Sequence, residues 1–220
     1  MAYDVTELPN VLHIPHQLAR FRAPTVPTLK LGGEKLVGSR TIMRRIDAQW
    51  PDPPLYDRPG VEEAERWGEE VLQPVGRRLA AWTTSHHHAS VPSFFVDSKL
   101  PMPDPILRAL APVVTRLGGL RNGAKDDAVR ADLAALPAHA QRIEDFLDAG
   151  AVGGEQPTAA DLQIAPILAL ILGMEDVARV LAPHERVVAL AHRWFPGYPG
   201  HVPAGVLPAD WLPSGTSSTA

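Results

Sequence analysis

The 220-residue chain predicts a predominantly helical α+β fold, with a small N-terminal α/β piece followed by an all-helical domain. Two observations lead there. Strand-like runs, two of them joined by Gly32-Gly33, occur only before Gly38. From Gly60 onward apolar residues recur at helical spacing between breaks of glycine and proline. Composition agrees, since 45% hydrophobic and 21% charged residues are ordinary globular usage that can build a core. No apolar run reaches the roughly 18 residues of a membrane span, and the N-terminus lacks a signal-peptide pattern, so a cytoplasmic protein without membrane contact is expected. A net charge of -4 argues against nucleic acid as partner. Without cysteine the chain has no disulfide, cysteine zinc site or thiol nucleophile. Its 23 prolines, about twice the usual share, predict many helix starts and stiff loops.

The elements follow in order. Ala2–Leu8 reads as a short strand with acids between β-branched and aromatic residues, and Pro9-Asn10 ends it. Residues His13–Arg22 are mixed, with one helical turn expected around Gln17–Phe21. Thr25–Leu31 and Glu34–Val37 flank Gly32-Gly33, a hairpin signal. Ile42, Met43, Ile46 and Trp50 then fall at helical spacing, with Ser39 the expected N-cap and Pro51 the stop. Residues 53–59 form a proline-rich linker, dividing a domain at 1–52 from a helical one at 60–195. In the latter, helices are predicted over Val61–Thr83, Asp104–Leu117, Asp126–Leu147 and Thr158–Leu172, with a last pair over Glu175–Phe195. Breaks are expected at Pro92, Pro101–Pro103, Gly118-Gly119, Gly153-Gly154 and Pro183. Residues 196–220 read as a loop-rich, partly flexible extension, frayed from Ser214.

The strongest local pattern is Thr158-Ala159-Ala160-Asp161. Thr158 as N-cap and Asp161 at N3 form a capping box, with Pro157 and Leu162 placed to staple the entry. The helix behind it, apolar nearly all round, belongs in a core. Val26-Pro27-Thr28-Leu29, the Gly-Gly hairpin, Leu36-Val37-Gly38-Ser39-Arg40-Thr41-Ile42, a proline-rich linker and this capped helix, in that order, resemble the cytosolic glutathione transferase superfamily over most of the chain. The resemblance implies a thioredoxin-like N-terminal domain and an all-helical C-terminal domain. It implies that Pro27 follows a cis bond and that the Val26 backbone pairs with the cysteinyl backbone of glutathione. It implies further that Ser39, at a helix N-terminus, takes the γ-glutamyl carboxylate. The co-substrate would be glutathione or another low-molecular-weight thiol, attacking a hydrophobic electrophile held between the domains, in a homodimer. A non-catalytic binding or assembly module is the alternative.

Two departures follow. Gly38 stands where the family usually has an acid, so the γ-glutamyl ammonium lacks that partner. Ala2–Leu8 matches the family's second strand, so the strand and helix that carry its catalytic Tyr, Ser or Cys are absent; a late start or a fragment is expected, and no catalytic residue is assigned. Other residues receive ordinary readings. His86-His87-His88 point about 100° apart on a helix and do not share a face as metal ligands would. His13, His16 and Gln17 are weak candidates to meet the glycyl carboxylate, and for the histidines a plain loop position is the simpler reading. Asp126, Asp127, Arg130 and Asp132 read as a solvated surface stretch. Trp67, Trp82 and Trp194 read as core or cleft wall, with Trp67, Phe94 and Phe95 able to line an electrophile site.

Overall fold

The computed structural model of the chain describes residues 4–6, 13–96 and 103–213. It is mostly helical (66%) with one two-stranded antiparallel sheet, a predominantly helical α+β architecture. The strand expected at Ala2–Leu8 is not present in its described part: Asp4, Val5 and Thr6 are exposed and outside any strand. The rest of that segment lies outside the described residues.

Helix α1 (His13–Phe21) is longer than the single turn expected. His13 and Gln17, one turn apart, form its buried face, which gives this mixed sequence its amphipathic sense. Arg22 ends it in left-handed backbone at φ 59. In the hairpin of β1 (Thr28–Leu31) and β2 (Glu34–Val37), Thr28 lies opposite Val37 and Leu31 opposite Glu34. Gly32 and Gly33 take φ 55 and 92, the two positive values that a tight hairpin turn needs. β1 begins three residues later than predicted because Pro27 has no N–H to give a ladder.

Helix α2 (Ser39–Gln49) follows the hairpin directly. Its N-cap is Gly38 rather than the expected Ser39. Helix α3 (Val61–Trp67), a π-turn over Gly68–Leu72 and α4 (Gln73–His86) make one continuous rod where a single helix was expected. A 3-10 stretch, His88–Phe95, runs through Pro92 without the predicted break. Helix α5 (Asp104–Asn122) likewise runs through Gly118-Gly119 and stops at Gly123, whose φ of 63 is a left-handed cap. Of the Pro101–Pro103 break, residues 101 and 102 lie outside the described residues. Helices α6 (Asp126–Asp148), α7 (Ala159–Leu172), α8 (Glu175–Leu181) and α9 (Glu185–Trp194) complete the bundle close to prediction.

Helix α7 is the centre. The Thr158 hydroxyl accepts the Asp161 N–H at 3.2 Å, and the Asp161 carboxylate accepts the Thr158 N–H at 2.8 Å, completing the predicted box. Leu162, placed to staple the helix entry with Pro157, is 39% exposed. Leu72 and Leu79 of the rod, Leu133 and Ile143 of α6, and Ile164, Leu168 and Ile171 of α7 are fully buried together. The rod comes close because two glycines face α7. A β-carbon at Gly68 would lie 2.9 Å from Ile164 Cγ1, and one at Gly76 would lie 2.6 Å from Ile167 Cγ2.

The expected solvated charges of α6 are partly structural instead. Asp132 is buried and takes both Arg78 Nε and Nη2 at 2.6 Å, while Asp126 accepts from Trp82 Nε1 at 2.9 Å. Residues 196–213 are loop-like but docked. Val202 bridges to Met174, and the Asp176 carboxylate accepts the N–H groups of Gly205 and Leu207 at 2.9 and 3.1 Å. Residues 214–220, expected to fray, lie outside the described residues.

Candidate functional site

The open end of the hairpin is held by one hydrogen bond beyond the ladder, from the Gly38 N–H to the Pro27 carbonyl at 3.0 Å. That bond sets Val26 and Pro27 beside the first turn of α2, so the three residues selected from sequence come together. The Val26–Pro27 bond is cis, as the resemblance implies; Asp52–Pro53 is a second cis bond that the sequence did not suggest. Val26 is 43% exposed. Its N–H has no hydrogen-bond partner among the described residues, and its carbonyl takes only the Thr25 hydroxyl at 3.2 Å. A backbone edge of this kind can accept an extended peptide-like ligand.

Ser39 is the first residue of α2. Its hydroxyl bonds the Oε1 of Gln163 on α7 at 3.0 Å and does not cap its own helix. The α2 N-terminus therefore keeps N–H groups with no side-chain cap, where a helix favours negative charge. Gly38 sits at φ 88 and ψ 146, a region open to glycine and strained for other residues. The backbone thus explains why no acid occupies this position.

Behind this turn lies a network that binds the N-terminal piece to the helical domain. Glu65 on α3 is fully buried, yet its carboxylate takes the Tyr56 hydroxyl at 2.6 Å and Arg40 Nε at 3.4 Å. Arg40 also reaches Glu69, on the π-turn, at 3.2 Å. Burial alone would lower the Arg40 guanidinium, but its bond to Glu69 and the charge of Glu65 more than offset this. Burial first, then the bond to Glu65, holds the Tyr56 phenol far above its usual value. Arg44 pairs with Glu62 at 3.2 Å. An open groove of about 620 Å³ is lined by Leu36, Gly38, Arg40, Thr41, Arg45 and Glu69, among others, but by none of Val26, Pro27 and Ser39. Its rim is internally neutralised, Arg45 by Glu34 at 2.9 Å and Arg40 by Glu69.

The weaker candidates separate. Gln17 is buried and accepts the Thr28 hydroxyl at 3.0 Å, tying α1 to the hairpin, while His13 is buried and His16 exposed on the same helix rather than in a loop. Two of the three consecutive histidines take unrelated partners: His86 stacks on Trp82 at 3.7 Å and His87 Nδ1 meets Ser90 Oγ at 2.8 Å. Among the described residues no group of three or more His, Asp or Glu could hold a metal. Trp67 packs edge-on to Phe146 at 5.6 Å, whereas Phe94 lies against Tyr198 at 6.3 Å, so the two rings pack on different partners. Trp82 is core, 5% exposed.

Sequence reasoning missed Gln163 and Glu65. Gln163 carried a signal, being the polar residue inside the otherwise apolar run of α7 that had to find a partner when buried. Glu65 carried a weaker one, its helical phase four residues after Val61 and seven before Leu72, which its neighbours Glu62, Glu63 and Glu69 obscured by making it look like one more solvated acid. No protein-family model, curated protein or solved structure matches the chain.

Proposed function

We propose that the chain is a glutathione-transferase-like protein that binds glutathione, or another low-molecular-weight thiol, at Val26, Pro27 and Ser39. The observation that supports this reading is the Gly38–Pro27 hydrogen bond, which sets a Val26 N–H unpaired among the described residues beside an uncapped helix N-terminus. An extended thiol peptide fits those two features together. Its backbone adds to the Val26 edge, and a terminal carboxylate meets the α2 N–H groups and takes over the Ser39 hydroxyl proton that Gln163 Oε1 now accepts. The reaction proposed is attack of the thiolate sulfur on an electrophilic carbon, a new C–S bond forming as the leaving group departs with its electron pair. The residues named here position the thiol, and none of them is assigned the task of ionising it.

A non-catalytic binding or assembly module is the second reading, favoured by a row of bare apolar side chains on α5. Retention on immobilised glutathione tests thiol binding. The wild type is expected to be retained and Ser39→Ala to elute early. The charged hydrogen bond to the carboxylate is worth about 1.5–3 kcal/mol, so the loss is roughly ten- to hundredfold in affinity. A wild type that does not bind contradicts the assignment. Turnover of a chloronitroaromatic electrophile then separates the transferase from the module.

A further inference from the structure

Helix α5 packs on α4 and on the 3-10 stretch, burying Leu107, Ala111 and Thr115. Its opposite side is apolar as well. Ile106, Leu110, Val113, Leu117 and Leu120 are 50%, 45%, 59%, 45% and 74% exposed. They follow one another at alternating steps of four and three residues, so at about 100° per residue they share an arc of about 80°. Scattered surface leucines need no explanation, but a contiguous apolar row marks an interaction site.

The charges that border this row are of one sign. On the same helical count Arg116 falls about 40° beyond Leu120 on one flank, and Arg121 about 20° beyond Leu110 on the other. Asp104, the acid of this helix, falls about 160° from the centre of the row. Arg77 of α4 stands near Arg121: partial burial and then the charge of Arg121 hold its guanidinium below the ordinary value, with Glu69 offsetting part of the effect. None of Arg77, Arg116 and Arg121 has an ion pair among the described residues, in a chain whose net charge is -4.

A protein partner is gripped through aromatic or arginine anchors seated in pockets, a task at which leucine and valine are under-represented. All five side chains of the row are aliphatic. An anionic lipid surface asks for a different pattern, a helix lying flat with aliphatic side chains at the acyl boundary and arginines reaching sideways to the headgroups. Helix α5 carries that pattern over 19 residues.

We infer that α5 is a membrane-surface helix: Ile106, Leu110, Val113, Leu117 and Leu120 enter the headgroup boundary of an anionic phospholipid bilayer, and Arg77, Arg116 and Arg121 meet its phosphates. The expected lack of membrane contact follows from the missing span, and a helix lying flat needs none. This surface stands apart from the thiol site, so Ser39→Ala is expected to bind vesicles as the wild type does.

Cosedimentation of the full chain with lipid vesicles tests the assignment. Binding is expected to equimolar phosphatidylcholine–phosphatidylglycerol vesicles, with much weaker binding to phosphatidylcholine alone and release at high salt. The double variant Leu117→Glu, Leu120→Glu is expected to lose binding with an unchanged circular-dichroism spectrum, since both side chains are exposed. Arg116→Gln, Arg121→Gln keeps the apolar row and is expected to lower partitioning onto the anionic vesicles about thirtyfold. The chain has no natural cysteine, so Val113→Cys can carry a single environment-sensitive dye, whose emission is expected to move to the blue on anionic vesicles. A row covered instead by a second copy or another protein leaves the vesicles unbound, and that result overturns the inference. So does equal binding to both kinds of vesicle, or binding that survives either double variant undiminished.

Discussion

Asp132 sits in a run of charges, Asp126, Asp127 and Arg130, that reads as solvated surface, yet it shares the buried face of α6 with Val129, Leu133 and Leu136. Its helical phase was the available signal: three residues from Val129 and four from Leu136, it belongs to the apolar stripe. Burial there is tolerable because Arg78 covers both carboxylate oxygens. Ser39 shows the reverse. Sequence favoured it as a cap, but Gly38 at φ 88 takes that position and frees the hydroxyl for Gln163. A consequence at this scale concerns His139, half-buried with its ring edge-on to Trp67 at 5.8 Å. Burial lowers its pKa below the ordinary 6.5, and the charge of Asp132 restores part of the loss. Unfolded chain takes a proton near pH 6.5 while the fold resists it, so this contribution is present above 6.5 and lost as pH falls. The urea midpoint is expected to fall more steeply below pH 6.5 in the wild type than in His139→Phe. Parallel slopes for the two proteins would count against it.

Elements were legible where one local rule dominated. The hairpin followed from Gly32-Gly33, and α7 from its capping box. A boundary failed where glycine was read as punctuation although the helix ran on to the left-handed cap at Gly123. Helix α5 passes through Gly118-Gly119, which was read as a break, whereas the rod passes through Gly68 and Gly76 as expected. In the rod, glycine serves close packing. A π-turn at Gly68–Leu72 carries Glu69 toward Arg40 while Gly68 rests against Gln163 and Ile164. No sequence period announces such a turn. Gly76→Ala places a methyl 2.6 Å from the branched end of Ile167 in the molecule's central helix. Alanine gains up to about 1 kcal/mol in helix propensity, but overpacking costs about 1–3 kcal/mol. Net destabilisation is therefore expected in denaturant unfolding, and a midpoint at or above the wild-type value would contradict this packing.

At the scale of the whole molecule, the two-strand piece is too small to stand alone, since an isolated hairpin is marginal in water. Its support comes from the helical domain: Arg40 and Arg44 on the acids of α3 and the π-turn, Ser39 on Gln163, and the Ala159 N–H on the Leu55 carbonyl at 3.0 Å. The order of the two parts could be read from the chain because periodicity changes at the proline-rich linker. Their clamp could not, because it joins residues as far apart as Ser39 and Gln163 by single hydrogen bonds with no local pattern. The candidate site lies where this clamp meets the open end of the hairpin, and thiol binding there is the central claim. Amide-resolved NMR titration with reduced glutathione tests it most directly. The account predicts saturable shifts concentrated at Val26, Ser39, Arg40 and Thr41, reduced in Ser39→Ala. Saturable shifts centred elsewhere, or none at millimolar glutathione, would contradict it.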